Sequence, residues 1–123
     1  MARSRIGFLI LVASTAVLAW VLPAGAQQST ASATTVTVTA GKPTEFKYKL
    51  SKARVPKGLV IFKVTNTGTI PHDFKIGGKK TKNLAPGKSA TLRVTFGKAG
   101  RYQYLCTVTG HAAAGMKGMF TVT

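Results

Sequence analysis

The sequence predicts an all-β protein, a sandwich of two sheets with about seven to eight strands. Beyond residue 35 of the 123-residue chain, apolar and polar residues alternate with a period of two, which is typical of strands that bury one face. Turn signals rich in Gly and Pro separate the alternating runs, and no helical stripe of apolar residues follows Pro23. Many short strands with regularly spaced turns favour a sandwich.

Each predicted strand is an alternating run whose apolar members form one buried face. In chain order the runs cover Val36–Val38, Phe46–Leu50, Val60–Val64, Leu92–Phe96, Tyr102–Cys106 and Phe120–Val122. The turns between them include Gly41-Lys42-Pro43, Pro56-Lys57-Gly58, Asn66-Thr67-Gly68, Gly77-Gly78, Ala85-Pro86-Gly87 and Gly97-Lys98-Ala99-Gly100. Because alternation of this kind marks half-buried antiparallel sheets, we expect the strands to pair antiparallel.

Residues 1–26 have the features of a secretory signal peptide. Arg3 and Arg5 give a basic start, residues 6–22 are apolar, and Ala24-Gly25-Ala26 offers the small residues that an export peptidase needs. The alternative is an uncleaved membrane anchor, for which the apolar run is at the short limit of about 17 residues. Either way we expect an exported protein, which is periplasmic, at the cell surface or secreted.

A small polar segment, residues 27–35 (QQSTASATT), follows the predicted signal peptide. It has nothing to bury, so we expect a flexible lead. The folded domain is predicted to cover residues 36–123.

Composition excludes several classes of protein. The chain has one Cys, which rules out an internal disulfide and a four-thiolate zinc site. Its two acids, Glu45 and Asp73, leave little room for paired-carboxylate hydrolysis. A hydrophobic content of 45% argues against a disordered basic tail.

The net charge of +16 is extreme. It predicts steering toward a redox partner with an acidic docking surface, or toward an anionic envelope surface. The alternative is that the lysines serve only solubility and protection of sheet edges. Nucleic-acid binding is not expected, because the chain is predicted to be exported and has no nucleic-acid-binding motif.

Four side chains with soft or nitrogenous donors stand out. Cys106, His111 and Met116 follow one another with four residues in each gap, at a predicted strand end, and His72 follows an earlier turn. Two imidazoles and a thiolate with a weak thioether define a blue-copper electron-transfer site. A zinc site gains little from Met, and four ligands leave no open position for a substrate.

The segments around these residues, 66–74 and 104–118, resemble the two copper-binding stretches of small cupredoxins, with a loop most like that of the rusticyanin and auracyanin types. The resemblance implies a Greek-key β-sandwich with one type 1 copper per chain. It implies His72, Cys106 and His111 as equatorial ligands, Met116 as the axial ligand, and electron transfer through an exposed edge of His111.

The resemblance also extends to residues beside the ligands. In the family, the backbone N–H after the first His points at the Cys sulfur, and that residue here is Asp73. Thr107 is placed to hydrogen-bond the Asp73 side chain and tie the two ligand loops together. Beside His111, the small residues Ala112, Ala113 and Ala114 predict a flat apolar patch for brief docking.

Each assignment has a plainer alternative. Cys106 alone is compatible with a buried structural thiol, and Met116 with packing under its loop. His72 in isolation is compatible with an ordinary loop residue. Met119 competes for the axial position, but we expect it to pack in the core or at a sheet edge. Tyr102 and Tyr104 are expected in the core.

The leading functional hypothesis is a monomeric one-electron carrier that is not an enzyme and serves extracytoplasmic redox proteins. A copper chaperone or store using the same ligands is the alternative from another class. A third hypothesis is a basic surface-binding module with no metal.

Overall fold

The computed structural model describes residues 32–123, together with residues 7, 16, 17, 19, 20 and 25. Apart from those six residues, the predicted signal peptide and residues 27–31 of the predicted lead lie outside the described part. Among the residues that are described, no helix is long and apolar enough to cross a membrane.

The protein is an all-β sandwich, as predicted. Its nine described strands are β1 (Thr34–Ala40), β2 (Tyr48–Leu50), β3 (Arg54–Val55), β4 (Gly58–Asn66), β5 (Lys75–Ile76), β6 (Lys79–Lys80), β7 (Ser89–Phe96), β8 (Gly100–Leu105) and β9 (Lys117–Val122). One sheet has the order β2-β1-β4-β7 and the other β3-β9-β8-β5-β6. The count exceeds seven to eight because β3, β5 and β6 have two residues each, too few to show alternation.

Both sheets are mixed, which corrects the expectation of purely antiparallel pairing. Strand β1 runs parallel to β4, and β3 runs parallel to β9. Alternation indicates which face of a strand is buried but not the direction of the neighbouring strand. The sequence pattern therefore did not distinguish parallel from antiparallel pairing. Strand β1 also begins two residues before the expected domain start, since Thr34 and Thr35 pair with Val60 and Ile61.

Aromatic rings fill the space between the sheets. Phe62 of β4 lies at the centre, with ring centroids 5.3 Å from Phe74, 6.3 Å from Phe96 and 5.4 Å from Phe120. Burying one such side chain contributes about 1.5–3 kcal/mol. Tyr102 and Tyr104 pack partly buried against this core, where the sequence placed them.

A second, smaller cluster closes one end of the sandwich. It consists of Ala40, Cys106 and Met116, all buried, with Phe46 and Tyr48 among the partly buried residues packed against it. Three of the loops between strands meet at this end, and the candidate metal ligands lie there.

Candidate metal centre

The loop after β4 brings His72 to the closed end of the sandwich. The side-chain amide of Asn66 donates to the carbonyls of Ile70 and Leu84, both at 2.8 Å, and its oxygen accepts from the Gly68 N–H at 2.8 Å. Backbone hydrogen bonds in both directions then join His72 to Leu84, at 3.1 and 2.8 Å. A fully buried, fully paired Asn therefore fixes where the first imidazole stands.

The other three predicted ligands lie on one loop between β8 and β9. The Cys106 N–H donates to the Met116 carbonyl at 3.1 Å, and the Met116 N–H donates to the His111 carbonyl at 3.0 Å. Gly110 and Gly115 adopt φ values of +83° and +109°, which only glycine reaches without strain. The loop therefore holds its own shape with its ligand side chains turned inward.

The predicted ligand atoms converge. Nδ1 of His72 lies 3.1 Å from Nδ1 of His111, and the Cys106 sulfur lies 3.5 Å from the same His111 nitrogen. All three donor atoms lie within 4.8 Å of one another. Met116 is fully buried in the same small cluster as Cys106. Among residues 32–123, no other group of three His, Cys, Asp or Glu donors comes together in this way.

The donors fit a copper ion. Two nitrogens 3.1 Å apart reach one ion at metal–nitrogen distances of about 2 Å. Burial raises the pKa of the Cys106 thiol, so a thiolate here needs a cation beside it. Burial lowers the pKa of His111, which keeps its imidazole neutral and able to donate a lone pair. A buried set of one thiolate, two imidazoles and one thioether is a type 1 copper ligand set.

Comparison with known proteins agrees with this geometry. Residues 10–122 match the family model described as a cupredoxin-like domain. The chain belongs to the cupredoxin-like family. Among curated proteins, the chain is 54% identical over 39 residues to the copper-resistant cuproprotein CopI of Pseudomonas aeruginosa, covering 32% of this chain and 22% of CopI. It is 32% identical over 77 residues to cytochrome c oxidase subunit 2 of Thermus thermophilus, covering 61% and 55%. This cupredoxin therefore spans about a fifth of the length of CopI and about half of the length of the oxidase subunit.

Solved structures resemble it over the folded domain. A reduced auracyanin from Roseiflexus castenholzii has a TM-score of 0.57 at 25% identity, covering 74% of this chain and 96% of that one. Rusticyanin from Thiobacillus ferrooxidans has a TM-score of 0.62 at 24% identity, covering 74% and 77%, and shares the fold. The match to the cupredoxin-like family and the likeness to auracyanin support a role in copper electron transfer.

Asp73 joins the two ligand loops of this cupredoxin, as the sequence predicted. Its N–H donates to the Cys106 sulfur at 3.5 Å. One carboxylate oxygen accepts from the Thr107 N–H at 2.6 Å, and the other accepts from the Thr107 hydroxyl. The Tyr48 hydroxyl donates to the Asp73 carbonyl, and burial raises the pKa of Tyr48, so that group stays protonated. The Asp73 residue, whose N–H faces the Cys106 sulfur, is therefore held by Tyr48 at its carbonyl and by Thr107 at its side chain.

Glu45 contacts a predicted ligand, and nothing in the sequence indicated that contact. His72 donates from Nε2 to the Glu45 carboxylate at 2.7 Å. The carboxylate also accepts from the N–H and hydroxyl of Thr69, at 3.0 Å each, and from the Ile70 N–H at 3.4 Å. These bonds, led by the Thr69 N–H, hold the pKa of Glu45 at about 2. A permanent carboxylate keeps the His72 proton on Nε2, which leaves Nδ1 free to bind metal.

Two glycines allow Glu45 to reach His72. A Cβ on Gly68 would contact the Glu45 carboxylate and lie 3.0 Å from His72 Nε2, and a Cβ on Gly41 would lie 2.7 Å from the Gly68 Cα. The loops that carry Glu45 and His72 therefore pack backbone against backbone. No spacing in the sequence relates residue 45 to residue 72, and the only available signal was that acids are so few.

Two predictions about exposure need correction. His111 is only 9% exposed, because its ring packs edge-on against Phe46 at 5.0 Å, so it does not present a broad edge. Its Nε2 has no hydrogen-bond partner within residues 32–123 and is not a buried unpaired atom, so this nitrogen keeps some contact with solvent. Ala113 and Ala114 beside it are exposed, and Ala112 is half-buried. Met119, expected in the core or at an edge, is 42% exposed on an outer sheet face.

Proposed function

We propose that this cupredoxin holds one type 1 copper ion and carries single electrons between redox proteins outside the cytoplasm. The observation that carries the proposal is the convergence of the His72, Cys106 and His111 donor atoms within 4.8 Å of one another. Copper, when bound, supplies a one-electron couple between Cu(I) and Cu(II). The match to the cupredoxin-like model over residues 10–122 supports the same function.

The residues around the ligands favour transfer without rearrangement. Thr107 holds Asp73 through two bonds, and Glu45 holds His72 through a third. His72, Cys106 and Met116 are almost fully buried, so water is excluded from the donors. A site whose ligands cannot move reorganises little when an electron arrives. Four protein ligands also leave no position for a substrate, which favours a carrier over an enzyme.

Electrons are proposed to pass at His111 to or from one of the two redox partners. Its Nε2 keeps some contact with solvent, and the small residues Ala112, Ala113 and Ala114 allow a partner to approach closely. Small, flat contacts suit short-lived redox complexes, which bury less than about 1,200 Å². The partners are proposed to be acidic proteins because the chain carries a net charge of +16, and the predicted signal peptide favours an exported location.

A copper chaperone or store is less well supported. Handing over a metal requires a ligand that an incoming protein can reach, whereas Cys106 is 1% exposed and Met116 is fully buried. Several hydrogen bonds also have to break before the loop between β8 and β9 opens.

The test is to purify the protein, add Cu(II), and record its visible spectrum and metal content. We expect one copper per chain and an intense blue colour from thiolate-to-copper charge transfer that disappears on reduction. Cys106→Ser is the matched control, and it is expected to lose the colour. A protein that binds copper but stays colourless in the presence of oxidant would contradict the carrier and favour a chaperone.

A further inference from the structure

The outer face of the five-stranded sheet has an unusual row of residues. Strand register places Lys80, Lys75, Leu105 and Lys117 side by side across β6, β5, β8 and β9. Directly paired residues project to the same side, so the four side chains lie on one face over about 14 Å. The three lysines are exposed and Leu105 is half-buried.

The same face continues along β8, β9 and β3. Gln103 pairs with Met119, and Thr121 lies between Arg101 and Arg54. The alternate residues, such as Phe120 and Val122, point into the core and are buried. We call this surface the β8–β9 face, and it consists of Arg54, Lys75, Lys80, Arg101, Gln103, Leu105, Lys117, Met119 and Thr121.

This face has an apolar centre and a cationic rim. Met119 is 42% exposed, and it is the only exposed large hydrophobic residue within residues 32–123. Leu105 lies diagonally from it, with Lys75, Lys80 and Lys117 at one end of the face and Arg54 and Arg101 at the other. Met and Arg are enriched at protein–protein interfaces, in which an apolar centre is ringed by polar residues.

The chain has no further side-chain carboxylate to neutralise this rim. Its two acids are Glu45 and Asp73, and both are bonded at the metal centre. Among the described residues no Lys or Arg pairs with a carboxylate, and the one contact of this kind is the hydrogen bond from His72 to Glu45. Lys75 and Lys80 even stand directly opposite each other, an arrangement that destabilises a sheet. A negatively charged partner would relieve this repulsion.

The face also adjoins the ligand-bearing end of the sandwich. Leu105 immediately precedes Cys106, Lys117 immediately follows Met116, and Lys75 lies three residues after His72. A protein seated on the Lys80–Lys117 row is therefore next to the strands that carry the ligands.

We propose that the β8–β9 face docks an acidic protein, whose carboxylates bind the rim and whose apolar centre covers Met119 and Leu105. The inference rests on the proposed function, since the partner is the other of the two redox proteins between which this carrier moves electrons. A protein fits better than a lipid headgroup layer, because a polar headgroup layer offers no apolar surface to cover Met119 and Leu105 on a flat sheet. This surface is separate from the patch at Ala112–Ala114.

The test is a titration of the isotope-labelled chain with a plant-type ferredoxin, a small acidic redox protein, followed by NMR at low salt. We expect shifts concentrated on β5, β8 and β9. The double variant Lys75→Gln/Lys117→Gln should bind about tenfold more weakly. The matched control, Lys49→Gln/Lys63→Gln, removes the same charge from the outer face of the other sheet, where both lysines are exposed. It should weaken binding much less.

Several outcomes would overturn the proposal. They are equal weakening by the two double variants, shifts confined to the other sheet or to residues 112–114, and no binding at all. Met119→Gln, which keeps the charge, should also weaken binding, and an unchanged affinity would remove the apolar centre from the proposal. The two double variants are also tested with anionic phosphatidylserine vesicles. If the vesicles bind the two variants with different affinities and ferredoxin binds them equally, the face binds membranes and the proposal is wrong.

The titration is run on metal-free and copper-loaded protein. Failure to form a blue site would leave the metal-free titration interpretable. Failure of docking would leave the copper spectrum unchanged, so the two proposals fail separately.

Discussion

At the scale of single residues, the chemistry depends on how each ligand is held. His72 has one nitrogen facing His111 and the other fixed by Glu45. Cys106 receives the Asp73 N–H, a donor that stabilises negative charge on sulfur and favours the reduced site. Glu45 acts in the opposite direction, because a carboxylate bonded to a ligand imidazole makes that imidazole a better donor to Cu(II). The reduction potential is therefore set by side chains that do not touch the metal as well as by those that do.

Met116→Leu tests the axial position. The variant is expected to stay blue and to raise the reduction potential by about 60 mV, which for a one-electron couple is a tenfold change in the relative stability of the two states. The reason is that loss of a weak axial donor disfavours Cu(II). Voltammetry measures the shift, and Met119→Leu on the outer face is the control. Complete loss of copper would mean that Met116 is more than a weak ligand.

Glu45→Gln tests the bond to His72. An amide oxygen still accepts from Nε2 but carries no charge, so we expect a higher potential and copper affinity lower by about 10- to 100-fold. The two readouts are voltammetry and competition with a chelator. Thermal unfolding of the metal-free variant separates this effect from a general loss of stability. A potential that does not move would show that Glu45 serves packing alone.

At the scale of elements, the metal centre is formed by three loops that meet at one end of the sandwich. The loop after β1 brings Glu45, the loop after β4 brings His72, and the loop after β8 brings the other ligands. Asn66 shapes the second loop through three hydrogen bonds, and the third is closed by its own backbone. Because two loops meet at Gly41 and Gly68 with no side chain between them, a small change in one is transmitted to a copper ligand.

Gly68→Ala tests this contact between loops. The added methyl would meet the Glu45 carboxylate and His72 Nε2, so we expect a loss of about 1–3 kcal/mol in the free energy of unfolding and weaker copper binding. Denaturant unfolding and copper titration measure the two effects. Gly97→Ala is the matched control, because no atom lies within 4 Å of its Cβ position. Equal stability of the two variants would contradict the close approach.

At the scale of the whole molecule, charge is separated by sign. The chain has 18 Lys and Arg against two acids, and both acids are used in fixing the ligands. The outer surface is left cationic, and the protein repels itself to a degree that costs stability. Such a surface attracts acidic partners over a distance set by salt, about 8–10 Å at physiological ionic strength.

Ionic strength should therefore control the rate of electron transfer. Oxidation of the reduced protein by anionic hexacyanoferrate is expected to slow by about tenfold or more as salt rises from 0.01 to 0.5 M, because screening removes the attraction. Oxidation by a cationic cobalt complex should speed up over the same range. Stopped-flow absorbance measures both, and parallel trends for the two oxidants would contradict electrostatic steering.

The sequence by itself predicted the six longer strands and the four candidate ligands. Alternation is a local property that reports burial directly, and the spacing from Cys106 to Met116 lies within a single loop. Tertiary structure alone decided the parallel pairing of β1 with β4, the contact of Glu45 with His72 and the exposed position of Met119. These features join residues far apart in the chain, and the period-two pattern is the same whichever strand becomes the neighbour. Tertiary structure also decided the row from Lys80 to Lys117, since these residues become neighbours only when four strands pair in register.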